Sequence, residues 1–158
     1  MNAGIYSTGS VITMKCGASA VVKGKSGRFV QANDSGYIAQ IAGTTLDIIG
    51  WVVGSFDATA ASTAGDTAWA VETNIFGKLF VMPACHGTGT TATEAQLRAA
   101  IGESIDIILE STYYQYATTA ASTYDIIIPY GYIYEKSGYG HQFLIVKPNP
   151  DKVAYATH

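Results

Sequence analysis

Charge is what this 158-residue chain has least of. Asp, Glu, Lys and Arg make up 13% of it, against roughly 25% in an ordinary soluble domain, while hydrophobic residues supply 48%. A surface with so few charges must be covered by small, hydroxylated or apolar side chains, which suits burial against other subunits. Proline is scarce as well, at four residues, whereas glycine reaches 17, a balance that marks frequent tight turns and not a disordered Pro-rich linker. No apolar run approaches the roughly 18 residues of a membrane-spanning helix, so no membrane partner is expected. The opening MNAGIYSTGS lacks the basic segment followed by an apolar core of a Sec signal, and none is expected. Cys16 and Cys85 are too few and too far apart for a disulfide framework; two buried thiols are the expectation. The length allows one domain or two small ones.

Catalytic signatures are missing too. The stretch FVMPACHGTGTTATEAQLRAAIG sets Cys85 beside His86, but adjacent residues on extended backbone point to opposite sides and do not form a nucleophile–base pair. A partner histidine would have to be His141 or His158. One Cys and one His fall short of a zinc ligand set, and no metal is expected. Gly87-Thr88-Gly89 lacks the lysine of a Walker loop and the further glycine of a dinucleotide fingerprint. No Gly-x-Ser-x-Gly elbow occurs. No catalytic residue and no cofactor is therefore assigned; a carboxylate pair assembled by the fold is the catalytic option that remains.

What is present is strand signal. SVITMK, RFVQA, LDIIGWVVGSF, TAWAVET, KLFVM, SIDIILE, YDIIIPYGYIY, QFLIVK and KVAYAT are short, rich in β-branched and aromatic residues, and bounded by turn formers. FDATAASTAGDTAW reads as a long hairpin loop with its turn near Gly65-Asp66. Thr91 and Thr93 each stand three residues before Glu94 or Gln96, the capping-box spacing, and Leu97, Ala100 and Ile101 then share one helical face ahead of Gly102. The expected fold is all-β: two small β-rich modules, barrel or sandwich-like, joined by one short helix near residues 93–101. The divisions fall at 1–33 (an extended basic arm and first strands), 34–83 (a β-module), 84–102 (a linker with the helix) and 103–158 (a second β-module), or the chain forms one continuous domain.

The net charge of −3 is uneven. Residues 1–33 carry Lys15, Lys23, Lys25 and Arg28 and no acid, while the remainder holds five basic and twelve acidic side chains. A basic arm on an acidic body can dock on an acidic partner surface. Four dispersed charges do not make a nucleic-acid site, and no nucleic acid is expected. Eight of the eleven tyrosines lie between 113 and 139, and Tyr130, Tyr132 and Tyr134 alternate as if sharing one strand face. Such a row suits a subunit interface or a glycan platform.

The order of these segments carries a resemblance. GRFVQANDSGYIAQIAGTTLDIIGWVVG, followed after a tolerant loop by AWAVE and LFVMPA, is similar to small structural proteins of tailed-bacteriophage heads, the capsid decoration or cement proteins. LRAAIGESIDIILE, YQYA, DIII and QFLIVKPNPDKVAYA resemble the downstream β-module of such proteins. The resemblance implies a virion protein, made in the host cytoplasm and placed on the capsid exterior, without catalysis. It implies a homotrimer bridging neighbouring major capsid proteins. On that reading Val11, Ile12, Met14 and Lys15 of the arm, with Lys23, Lys25 and Arg28, contact the capsid, the arm adding a strand to a capsid-protein edge. Tyr130, Tyr132 and Tyr134 form an oligomer or ligand surface. The alternative is a carbohydrate-binding or adhesive head-fibre protein that uses this tyrosine face.

Overall fold

A computed structural model describes residues 11–18, 23–24, 28–33, 35–41, 47–53, 56–57, 63–110, 114–120, 122–135 and 142–154. In chain order they form β1 (Val11–Lys15), β2 (Lys23–Gly24), β3 (Phe29–Ala32), β4 (Ile38–Gln40), β5 (Ile48–Val52), β6 (Phe56–Asp57), β7 (Ala68–Glu72) and β8 (Phe80–Cys85). Then follow α1 (Glu94–Ala99), β9 (Asp106–Glu110), β10 (Tyr114–Thr118), β11 (Ile127–Tyr134), β12 (Gln142–Pro148) and a 3-10 turn at Pro150–Lys152. The fold is all-β, as expected, and α1 is the lone α-helix among the described residues.

Alternation decides which face each strand buries. In β7, Trp69 and Val71 are buried while Ala68 is exposed, and in β12 Leu144 and Val146 are buried while Phe143 and Ile145 are partly open. The first sheet runs β1-β7-β5-β3-β4 with every neighbour antiparallel. Its two ends meet at one point, where Cys16 bridges Ile38 in parallel and the Gly17 amide donates to the Ile38 carbonyl at 3.0 Å. The second sheet runs β11-β12-β8-β10-β9, with β8 and β10 parallel. Its ends are also tied once, through Ile105 and Ile127. Each sheet is thus curled nearly into a barrel and closed by a single bridge.

Two cores result. Cys16, Val30, Ile38, Val52, Trp69 and Val71 fill the first sheet. The larger core joins Phe80, Met82, Leu97, Ile107, Leu144 and their neighbours to Phe29, Ile41, Ile48 and Ile75 from the first half of the chain. Successive residues of β3 and β5 therefore serve different cores: Phe29 one and Val30 the other, Trp51 one and Val52 the other. Phe29, Trp51 and Phe80 interlock with ring centroids 4.7 to 5.0 Å apart. The fully buried Gln115 of β10 fastens this seam: its Oε1 accepts from the Phe29 amide at 2.9 Å, and its Nε2 donates to the carbonyls of Phe29 at 2.7 Å and Ile41 at 2.9 Å.

Several expectations need redrawing. β8, placed by sequence in the first module, hydrogen-bonds to β12 and β10 and lies at the centre of the second sheet. Strand pairing passes from the first five-stranded sheet to the second between β7 and β8. The helix is no mere linker, because Leu97 is fully buried in the larger core. Within the arm, residues 11–15 form a strand, as SVITMK suggested, paired with β7, while residues 1–10 lie outside the described residues. KVAYAT is not a strand over its described part, which forms the 3-10 turn and a lone bridge from Val153 to Ile48. The turn at Gly65-Asp66 stands as expected, with Asp66 donating to the Thr63 carbonyl and Gly65 at φ 89°.

Candidate interaction surfaces

The basic arm residues separate on folding. Val11 and Ile12 are exposed at 46% and 40%, and Lys15 is exposed beside them. Met14 turns the other way and packs against the smaller core. Arg28, at 1% exposure, is enclosed in the fold at the entry to β3 and cannot reach a partner surface, which corrects its assignment as a capsid contact. Lys23 lies in β2, paired to β6, and Lys25 lies outside the described residues. What survives of the arm is an edge: β1 ends the first sheet, and a groove of about 570 Å³ runs beside it. Thr13, Met14 and Lys15 form one wall of the groove, Ser35, Gly36 and Tyr37 another, with Ile38 and Ile49 also lining it.

The three tyrosines do not share a face. The β11–β12 register slips between Pro129 and Gly131, so that Tyr130 is an extra residue without a partner in the ladder. One inserted residue reverses the alternation. Ile127 and Pro129 are buried before the bulge, and Tyr132 and Tyr134 pack on the core after it, leaving Tyr130 alone exposed at 56%. Lys147 Nζ sits 4.4 Å from the centroid of the Tyr130 ring. The Tyr132 hydroxyl donates to Glu94 Oε1 at 3.2 Å, and Glu94 also receives Arg98 Nη2 at 3.2 Å. The Tyr132 hydroxyl, followed by Glu94, holds the Arg98 guanidinium above its usual pKa. Tyr132 thus ties β11 to α1.

A different surface emerges on the same sheet. Across β11, β12 and β8 the register aligns Ile133, Phe143 and Pro83 in one row and Gly131, Ile145 and Val81 in the next. All six face away from the core. Val81 is 50% exposed and Ile133 42%, and Leu79, just before β8, is 57% exposed. An apolar solvent face on a sheet whose other face is already a core is unusual for a monomer. The signal was in the sequence: LFVM and QFLIVK are apolar at both parities, the pattern of strands covered on both sides.

The Cys85-His86 pair resolves into structure. The thiols of Cys16 and Cys85 are both buried, and burial pushes the Cys16 thiol above its ordinary pKa. The His86 ring Nδ1 is hydrogen-bonded to Thr119 Oγ1 at 2.8 Å, and Thr119 Oγ1 also lies 3.3 Å from the Cys85 carbonyl. The amide of His86 donates to Thr90 O at 2.7 Å, that of Gly87 to Thr118 Oγ1 at 3.1 Å, and that of Thr90 to Gly87 O at 3.3 Å. The glycines therefore close a tight turn whose amides serve the protein itself, not a phosphate. His86, Gln96, Glu103, Ser104, Thr119 and Ser122 line an open cleft of about 400 Å³. Among the described residues no three His, Cys, Asp or Glu side chains cluster as metal ligands, and no helix is long and apolar enough to cross a membrane. Comparison with protein-family models, with curated proteins and with solved structures finds no match.

Proposed function

We propose that this chain is a structural virion subunit that decorates and stabilises the outside of a tailed-phage capsid, as a homo-oligomer bridging major capsid proteins. The observation that carries the reading is the apolar outer face of β8, β12 and β11. A face holding Val81, Pro83, Ile133, Phe143 and Ile145 demands a cover, and a second copy supplies one. The low charge of the chain and the exposed edge at Val11, Ile12 and Lys15 support the same reading, since they leave a second surface for the capsid. Several such contacts per oligomer turn weak single engagements into durable attachment. The glycan-binding alternative is left with Tyr130 in place of a three-residue platform.

Co-sedimentation tests the proposal. Shells assembled from the cognate major capsid protein are expected to carry the chain to a fixed stoichiometry and to rupture at a higher temperature when decorated. Shells that pellet without it would overturn the assignment.

A further inference from the structure

Among the described residues no strand lies along the outer edge of β1, and the direction of its main-chain groups is set by contacts at its end. The Cys16 amide donates to Thr67 O at 2.8 Å and the Cys16 carbonyl accepts from Gly65 at 2.8 Å, so Cys16 turns its main-chain groups toward β7. In an antiparallel pair these groups alternate. Ile12 and Met14 therefore bond to β7, while Val11, Thr13 and Lys15 turn theirs outward. On that side, among the described residues, the first sheet is closed from the Lys15 carbonyl to Gly17, by the parallel bridge of Cys16 to Ile38. Among the described residues nothing continues the ladder along residues 11–14 beyond β7. Folded proteins blunt such edges with charges, proline or bulges, and Val-Ile-Thr-Met-Lys has one lysine and no other safeguard.

We infer that the β1 edge, with the groove between it and the Ser35–Tyr37 turn, is an acceptor site for an extended acidic peptide segment of the partner, which adds as a strand beside β1. The inference deepens the structural reading above and reverses the expected polarity: the chain receives a strand at β1 instead of lending one as an arm. Three observations select this occupant. The outward amides and carbonyls of Val11 and Thr13, continued by the Lys15 amide, repeat at the two-residue spacing that another extended backbone matches; the Lys15 carbonyl belongs to the parallel bridge with Ile38. The groove has the β1 edge on one side and the hairpin turn on the other, so it admits a segment that brings no neighbouring strand of its own. Lys15 lines it, no ion pair to Lys15 exists among the described residues, and residues 1–33 contain no acid, so a carboxylate on the incoming segment is complementary whereas a second copy of this basic region is not.

The test uses the full chain and a fluorescein-labelled heptapeptide of alternating threonine and valine with one central glutamate, beside the same peptide with a central lysine. Fluorescence anisotropy is expected to show saturable binding of the glutamate peptide and at least tenfold weaker binding of the lysine peptide. Thr13→Pro deletes one outward amide and is tolerated on an edge strand; it should weaken the glutamate peptide at least tenfold, while Thr13→Val, which keeps the amide, binds as the parent does. Should Thr13→Pro fail to fold, amide exchange on the unaltered protein decides. The amides of Thr13 and Lys15 then slow at least tenfold on peptide addition, while those of Ile12 and Met14, already bonded to β7, stay as they were. No saturable binding, equal affinity for the two peptides, equal affinity of the proline and valine variants, or unchanged exchange at Thr13 each overturn the inference. If a second copy covers this edge instead, Thr13→Pro lowers the oligomer mass and the peptide does not bind, which also overturns it. Peptide binding reads β1 directly and shell binding reads the structural role, so either can fail without the other.

Discussion

Gln115 shows how much a single side chain can hold in this fold. It sits on β10, 86 residues along the chain from Phe29, and its amide completes main-chain bonding between the Phe29 and Ile41 segments from inside the larger core. Replacing it with leucine would leave the Phe29 amide and the Ile41 carbonyl buried without partners, each costing on the order of 1–3 kcal/mol, while the Phe29 carbonyl keeps the Ile41 amide at 3.0 Å. We expect Gln115→Leu to lose about 3 kcal/mol in urea unfolding, with both sheets melting together; a loss below about 0.5 kcal/mol would mean that water replaces the amide without penalty. Nothing in YQYA announces this role, because a lone glutamine in a strand reads as a solvent-facing residue and its partners are remote in sequence. Arg28 is the converse case. Beside three lysines it reads as part of a basic patch, yet its neighbour Phe29 anchors β3 between two cores and Arg28 is enclosed with it.

Elements specified by local chemistry were legible, and those specified by pairing were not. The helix is the clearest case: Thr93 caps it, its hydroxyl accepting from the Gln96 amide at 3.3 Å while Gln96 Oε1 accepts from the Thr93 amide at 2.8 Å. Both partners lie within four residues, so spacing alone revealed the box. Thr93→Ala should cost about 1 kcal/mol, read as a lower midpoint in denaturant with an unchanged slope. A midpoint equal to that of the parent would show that Leu97 packing alone holds α1. Gly102, at φ 83°, ends this segment in the left-handed conformation its position suggested. The bulge at Tyr130 is the opposite case. Period-two alternation predicts one face for Tyr130, Tyr132 and Tyr134, and only the β12 register reveals the inserted residue that separates them. The three-residue strand β4 escaped notice because it is shorter than any run that shows a period.

At the scale of the whole molecule, two nearly closed sheets share a core that neither half of the chain could build alone. Each sheet takes strands from mostly one half, which is why two modules could be read from the sequence. The joint between them, Phe29 with Trp51 and Phe80, crosses the halves and was not visible there. The apolar strands β8 and β12 explain both the joint and the proposed assembly, because one of their faces fills the core and the other lies open to solvent. Light scattering on the purified chain and on Val81→Glu tests that claim most directly. The account predicts a species of about 50 kDa, three copies of the 16.7 kDa chain, for the parent, and a folded 16.7 kDa species for the variant. A parent protein that stays at 16.7 kDa at every concentration, or a Val81→Glu protein whose mass equals that of the parent, would contradict it.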